Sequence, residues 1–349
     1  MTAAQRILLC RPDRIGDVIL STACIEPLRA AQPHAKLYLL VPALLRPLLA
    51  GHPLLDGVEG LPDAGLDDVE RLRTLETRIR DLGIDTLIQL HPDPVVERAA
   101  WQASVTRRVG FRKYDRRWLT DALPLRKHRG EKHEARHAFD LLARIGVAAP
   151  PDPLRASLHV DPGAREAALA KLDERTRERG YAALHLGAHG RKPRLPEHCF
   201  AAAAAWLIDQ HDLDIVLIGA EPGDPSVSMF MDLAGERRNR VIDLSGGTTL
   251  AEAAWLLGGA RVFLSRDTGP AHLAAAMGCP TVTVFAEPGA MMSSRRWRPL
   301  GPSTYVVEQP ARRRWFETRR RHALRHAASF EPGAVIAALR EALGERGNR

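Results

Sequence analysis

The sequence predicts an α/β protein of two Rossmann-like domains, each a parallel sheet wrapped by helices. Three observations predict it. Short apolar runs alternate with helical patterns from residue 6 to about residue 111, and strands separated by helices call for a parallel sheet covered on both faces. A second alternating series runs from residue 181 to residue 285, after a loosely patterned, basic, Pro- and Gly-punctuated stretch over 112–153. The 349 residues are enough for two separate cores.

Taken in order, residues 6–11 form a short apolar strand and 12–17 a turn containing Gly16. Residues 18–31 carry a helical pattern, and 36–41 a second strand. A helix near 43–50, a weak strand near Val58, a polar helix over 67–82 and a strand over 85–91 follow. The half closes with a helix over 95–104 and a strand over 108–111. One helix, 134–145, stands in the looser stretch, and the linker falls within 150–164. The second half reads as strands at 181–186, 214–218, 241–244, 262–265 and 281–285, with helices at 196–209, 226–234, 250–257 and 271–277 between them. A last helix covers 330–343, and no short-period repeat is present. The domain boundaries expected are 1–155, 156–325 and a C-terminal helical segment, 326–349. Sheets of this kind bind ligands at the carboxyl ends of their strands. In the first half that rim holds Asp13, Gly16, Asp17 and His91.

Composition narrows the class. A charged fraction of 26% beside a hydrophobic fraction of 45% is that of a globular chain and excludes disordered and collagenous ones. The four cysteines, Cys10, Cys24, Cys199 and Cys279, lie among apolar neighbours without metal-ligand or disulfide spacing, so they are expected as small buried residues in a reducing compartment. No segment has signal-peptide or membrane-spanning length, so a cytoplasmic location is expected. The net charge of +8 favours an acidic partner, whether nucleic acid, an anionic membrane surface or a phosphorylated substrate.

The stretch Leu264-Ser265-Arg266-Asp267-Thr268-Gly269-Pro270-Ala271-His272 organises the second half: a strand end, a tight turn and a helix start. The first N–H groups of a helix lack intrahelical partners and its dipole end is positive, so a diphosphate or carboxylate is stabilised there. Asp267 and Thr268 can bond a hydroxyl or a phosphate oxygen, and His272, one turn in, adds a donor. The bland alternative is a helix cap with a core histidine.

Several of these pieces together resemble glycosyltransferase family 9, which contains the lipopolysaccharide heptosyltransferases. They are Arg11-Pro12-Asp13-Arg14-Ile15-Gly16-Asp17-Val18, the His133-Glu134 pair opening a helix, Asp243-Leu244-Ser245-Gly246, and Arg266-Asp267-Thr268-Gly269-Pro270-Ala271-His272 followed by Gly278-Cys279-Pro280-Thr281. The resemblance implies the GT-B fold, two Rossmann-like domains with parallel sheets facing a central cleft and the C-terminal one holding the nucleotide sugar. It implies an inverting, metal-independent transfer of a heptose from ADP-heptose to a lipopolysaccharide-core or related glycan acceptor, with no cofactor. The implied partners are the nucleotide sugar and an anionic glycolipid or glycan, with peripheral contact at the inner membrane and no nucleic acid.

Asp17 matches the family's catalytic aspartate, and a rim carboxylate suits a general base for the acceptor hydroxyl. Its bland reading is an N-cap for a helix beginning at Val18. Asp13 is the neighbouring candidate on the acceptor-side loop with Gly16. On the donor side, Asp267, Thr268, Gly269 and His272 would meet the diphosphate, and Gly187 would let the backbone approach it closely. Lys192 or Arg194 would supply the cation where the family has a Lys or Arg before Trp-Pro; here Leu195 stands in place of the tryptophan. Asp224 or Glu221 would hold the ribose.

Two patterns point elsewhere. His133-Glu134-Ala135-Arg136-His137 fits the H-E-x-x-H zinc signature but lacks a third ligand and is crowded by Lys132 and Arg136. Asp212-Leu213-Asp214 has the D-x-D spacing of metal-dependent transferases but precedes its strand, at the wrong end of a sheet for ligand. No metal is expected. The arginine clusters 295–298, 312–314 and 319–321 would aid docking of an anionic acceptor if they border the cleft; Trp297, Trp315 and Phe316 are the only aromatics near them. The alternatives to transfer are a GT-B-like nucleotide-sugar epimerase and a non-catalytic basic nucleic-acid-binding protein.

Overall fold

The computed structural model describes residues 4–62, 65–125, 130–187, 195–219, 222–285, 292–308 and 330–345. The chain divides into two compact units, Met1–Asp161 and Pro162–Arg349.

The first unit carries a six-stranded sheet of β1 (Arg6–Cys10), β2 (Lys36–Val41), β3 (Gly57–Gly60), β4 (Thr86–Gln89), β5 (Arg107–Arg112) and β6 (Asp121–Pro124), in the order β3-β2-β1-β4-β5-β6. Every adjacent pair is parallel. Its helices are α1 (Ile15–Ser21), α2 (Ile25–Ala31), α3 (Asp68–Asp81), α4 (Pro94–Gln102) and α5 (Arg136–Leu142). The central strands are apolar at successive positions because both faces are covered: Ile7, Leu8 and Leu9 are all buried. Leu8 and Leu87 pack with Leu75, Ile79, Val96 and Ala99 of α3 and α4. Asp67 caps α3 and Asp93 caps α4, each carboxylate accepting from two backbone amides.

The second unit repeats the design. Helices α6 (Gly163–Leu169) and α7 (Glu174–Arg179) precede β7 (Tyr181–His185), α8 (Glu197–His211), β8 (Asp214–Leu217), α9 (Pro225–Ala234) and β9 (Val241–Asp243). Then come α10 (Leu250–Gly259), β10 (Phe263–Arg266), α11 (Gly269–Ala276), β11 (Thr281–Phe285), the short α12 (Ser294–Trp297), β12 (Thr304–Glu308) and α13 (Pro332–Ala342). The strand order is β12-β11-β10-β7-β8-β9, again wholly parallel. Val335 and Leu339 of α13 are buried in one cluster with Val282, Val284 and Phe330.

Numbered from each unit's own first strand, both sheets have the same order, 3-2-1-4-5-6. In this order the chain reverses direction across the sheet between strands 1 and 4, and the crevice at the carboxyl ends of those two strands is where ligands bind. The switch points lie between β1 and β4 and between β7 and β10.

The structure corrects several local expectations. The edge strands β6 and β12 were not anticipated: edge strands are covered on fewer sides and do not need a continuous apolar run. Helices α6 and α7 are additions too. Residues 43–48 form a 3-10 helix with Pro47 inside it rather than an α-helix. The first helix begins at Ile15, so Gly16 is a buried helical residue, not part of a loop. All four cysteines are free and buried. Among the described residues, no helix is long and apolar enough to cross a membrane.

Candidate functional site

In the first unit, the chain leaves β1 at Cys10 and places Arg11 beside the switch point, still tied to the sheet by its amide donating to the Leu40 carbonyl at 2.9 Å. Only 3% of Arg11 is exposed. A buried guanidinium is costly unless it is paired and hydrogen-bonded, and this one meets three carboxylates. Its Nε and Nη2 donate to the two oxygens of Asp13 at 2.6 and 3.0 Å. The same Nη2 reaches Asp17 Oδ1 at 2.5 Å and Glu134 Oε1 at 3.3 Å. His91, at the end of β4, brings Nδ1 within 3.3 Å of Asp13 Oδ2. Burial works to lower the arginine pKa, but the fields of Asp13, Asp17 and Glu134 outweigh it and hold the group firmly protonated.

Asp17 is not the helix cap of its bland reading. Arg14 occupies that position, and Asp17 lies in the first turn of α1, where the helix dipole favours an anion. Asp13 and Asp17 differ in how they are held. Asp13 is gripped bidentately and flanked by His91, whereas Arg11 touches one oxygen of Asp17.

Glu134 reaches this cluster because the zinc-like pattern is not on one helix face. α5 begins at Arg136, two residues after Glu134. His133 Nδ1 accepts from the Ala135 amide, His137 pairs with Asp140, and Glu134 faces Arg11. Arg11 and Glu134 stand in motifs that carry the resemblance, but the sequence assigned neither of them a role at the site. The one available signal was an arginine closing an apolar strand, a position that demands a buried partner.

In the second unit, β10 ends at Arg266, Thr268 stands at the N-cap and α11 starts at Gly269. The Thr268 hydroxyl does not cap the helix; it donates back to the Arg266 carbonyl at 3.2 Å. Pro270 falls in the first turn, where a missing N–H is harmless. Asp267 is fixed by its amide donating to Val284 and lies 3.8 Å from the buried His272 Nε2.

The neighbouring strand ends converge on one buried imidazole, His185 at the end of β7. A Cβ on Gly187 would come within 2.8 Å of His185 Cε1. Gly219, after β8, has a φ of +76°, and its Cβ would stand 3.4 Å from Pro270 Cγ and 3.6 Å from His185 Nδ1. Glycine is therefore needed at both rims for the backbones to close around this ring. Asp224 caps α9, its Oδ1 accepting from the Ser226 amide at 2.9 Å and from the Ser226 hydroxyl. The Asp243–Gly246 segment packs on the same rim, with Gly246 against Pro222.

Lys192, Arg194, Glu221 and the arginines of 312–314 and 319–321, with Trp315 and Phe316, lie outside the described residues. Of the other arginine cluster, Arg296 is buried over the Trp297 ring and Arg298 donates to Thr304 at the start of β12. The D-x-D pair is at the opposite end of the sheet, where Asp214 is held by Thr176, Arg179 and Arg240 and Asp212 by Arg240.

Two parallel sheets of this strand order, each with a polar constellation at its own switch point, define a protein of the GT-B class. The model of glycosyltransferase family 9 (heptosyltransferase) matches residues 84–326, more than half of the chain. The chain therefore belongs to glycosyltransferase family 9 and is a glycosyltransferase. Lipopolysaccharide heptosyltransferase 2 of Escherichia coli is 26% identical over 289 residues, which cover 80% of this chain and 82% of that protein. Among solved structures, a family 9 glycosyl transferase from Veillonella parvula superposes with a TM-score of 0.81 at 19% identity, over 99% of both chains. The E. coli ADP-heptose LPS heptosyltransferase II superposes with a TM-score of 0.77 at 23% identity, over 98% of this chain and 99% of that one.

Proposed function

We propose that this glycosyltransferase moves a heptose from ADP-heptose to a lipopolysaccharide-core acceptor, with inversion and without a metal or other cofactor. One observation carries the reading: the Arg11–Asp17 and Asp267–His272 motifs each lie at the switch point of their own sheet. Arg11, Asp13 and Asp17 stand at β1/β4, and Gly187 with the Asp267–His272 turn at β7/β10. The E. coli relatives named above supply the donor and the acceptor class.

In this reading the acceptor hydroxyl oxygen forms a bond to the anomeric carbon while the bond from that carbon to the diphosphate oxygen breaks on the opposite face. The hydroxyl proton passes to the Asp17 carboxylate, and ADP leaves with the electron pair. A base in the right place contributes about 10²- to 10⁴-fold. Asp13 is the lesser candidate, because Arg11 and His91 hold both of its oxygens.

Negative charge grows on the departing diphosphate, and fixed donors there lower the barrier. The backbone at Thr268 and Gly269, the dipole of α11 and the close approach allowed at Gly187 are assigned to that task. His272 is assigned as a further donor, Lys192 or Arg194 as the cation and Asp224 as the ribose partner, with its capping role retained. We assign the work to the cytoplasmic side of the inner membrane, where a nucleotide sugar meets a lipid-linked acceptor.

The test is Asp17→Asn, assayed with ADP-heptose and a heptose-deficient core acceptor. Turnover should fall by about a hundredfold or more while calorimetric binding of ADP and the melting temperature stay near parental values. Parental turnover in this variant would remove Asp17 from the mechanism. Consumption of ADP-heptose that is indifferent to acceptor would favour an epimerase instead.

A further inference from the structure

Arg11 Nη2 carries two hydrogens and faces three carboxylate oxygens: Asp17 Oδ1 at 2.5 Å, Asp13 Oδ2 at 3.0 Å and Glu134 Oε1 at 3.3 Å. Three acceptors cannot each receive a full hydrogen bond from two hydrogens. Strength given to one is withdrawn from another. Within the cluster the Arg11 guanidinium faces three carboxyl groups, and Glu134, with 2% of its side chain exposed, is the most deeply buried of the three acids. It arrives from a segment 123 residues along the chain, so its contact with Arg11 depends on the packing of the α5 region against the sheet.

We propose that Glu134 is a positioning residue for the reaction, acting through Arg11 to set the orientation and basicity of Asp17. The inference rests on the reading of Asp17 as the base. Glu134 anchors the guanidinium from its buried side, so that the edge bearing Nη2 stays presented to Asp17. It also draws on the same nitrogen and adds a like charge, and both effects keep the Arg11 to Asp17 bond from making Asp17 too weak a base. A carboxylate fully matched to an arginine would hold its lone pairs poorly available for a proton.

Among the described residues, the groups facing Asp17 or Arg11 include Asp13 from the loop after β1, His91 from beyond β4, Glu134 from ahead of α5 and the Cys24 thiol. Burial pushes that thiol up to about 12, so it contributes no charge in the working range. His91 and Asp13 are present in every variant below.

The experiment measures kcat and KM for the donor against pH in the parent, Glu134→Gln, Glu134→Asp and Asp17→Asn. Glu134→Gln keeps an oxygen near Arg11 but removes the negative charge. Its acid limb of kcat/KM should move to lower pH by about half a unit or more, and its kcat should fall about three- to tenfold as the base weakens, with donor KM unchanged. Glu134→Asp keeps the charge but withdraws the anchor by one methylene. It should keep the parental limb and lose kcat.

A role confined to neutralising a buried arginine would alter the melting temperature without moving the limb, and a folded Glu134→Gln enzyme with parental limb and kcat overturns the inference. Should that variant fail to fold, full kcat in Glu134→Asp overturns it independently. Asp17→Asn separates the two readings. If Asp17→Asn is inactive while the Glu134 variants are parental, this inference alone fails; if Asp17→Asn keeps its turnover, the base assignment itself is gone.

Discussion

Glu97 provides a prediction whose size can be worked from the structure. It lies in the first turn of α4 with 1% of its surface exposed, and neither carboxylate oxygen has a hydrogen-bond partner among the described residues. Burial raises its pKa, the neighbouring Asp93 carboxylate raises it further, and the result is about 7 against an ordinary 4.5. The sign follows from linkage. Below about pH 4.5 the carboxyl is protonated in the folded and unfolded chains alike, and stability is unaffected. Between 4.5 and 7 the unfolded chain releases the proton and the folded chain keeps it, so stability falls as pH rises. Above 7 the cost is complete, on the order of 3 kcal/mol as a ceiling, at about 1.4 kcal/mol for each tenfold change. Local relaxation and water entry reduce this to roughly 1 to 3 kcal/mol.

Glu97→Gln removes the ionisation while nearly preserving the shape. The variant should match the parent within about 1 kcal/mol at pH 5 and be more stable than it by about 1 to 3 kcal/mol at pH 8. Hydrogen exchange of the α4 amides with urea unfolding at both pH values reads this difference and separates the first unit from the second. A gap between variant and parent that is the same at pH 5 and pH 8 would refute the burial argument.

The donor side gives three further expectations. If Asp267–His272 receives the diphosphate, Gly269→Val should weaken ADP binding in calorimetry more than it lowers the melting temperature. Thr268→Ala should lose only about 0.5 to 1.5 kcal/mol of binding, since backbone donors remain; a Gly269→Val protein that binds ADP like the parent would return this turn to a plain helix start. Gly187→Ala sets a Cβ 2.8 Å from the His185 ring, so it should displace that ring and reduce nucleotide affinity about tenfold or more, at about 1.4 kcal/mol per tenfold, and unchanged affinity would show that the cradle is not used. Activity should survive EDTA, because helix-end donors and a cationic side chain are assigned the diphosphate charge; activity lost to chelation and regained with zinc or magnesium would require a metal site.

Much of this molecule was legible in its sequence because the signals are local. Apolar runs such as 6–11 and 262–265 are long enough to mark central parallel strands, and the Gly-Pro turn after Thr268 marks a helix start through its own backbone preferences. The repeated β/α alternation then implied two parallel sheets, and the carboxyl-end rule placed Asp13, Asp17 and the Asp267–His272 turn on their rims. The position of D-x-D ahead of its strand was likewise enough to set it at the far end of the sheet, where Asp214 is found paired with arginines. The edge strand β6 carries only Ala122 and Leu123 as apolar residues and so gives no run, whereas β12 has the short run Tyr305-Val306-Val307 beyond the regular alternation. The start of α1 was misjudged because Gly16 and Asp17 read equally well as turn residues and as the first turn of a helix.

Only tertiary structure could decide what meets Arg11. Its partners come from the loop after β1, from α1 and from a residue 123 positions away, and the end of β4 adds His91 to Asp13. No local pattern encodes that meeting, which follows from the order in which parallel strands are laid side by side. For the same reason the helix expected to open at Glu134 opens later: a spacing implies a shared face only if all its residues are in one helix, and this helix begins at Arg136. The sequence determined which residue types were available at the rims, since backbone preference and hydrophobic period act over a few residues. The fold decided which of them touch, since burying a charge forces distant chain segments to supply its partners.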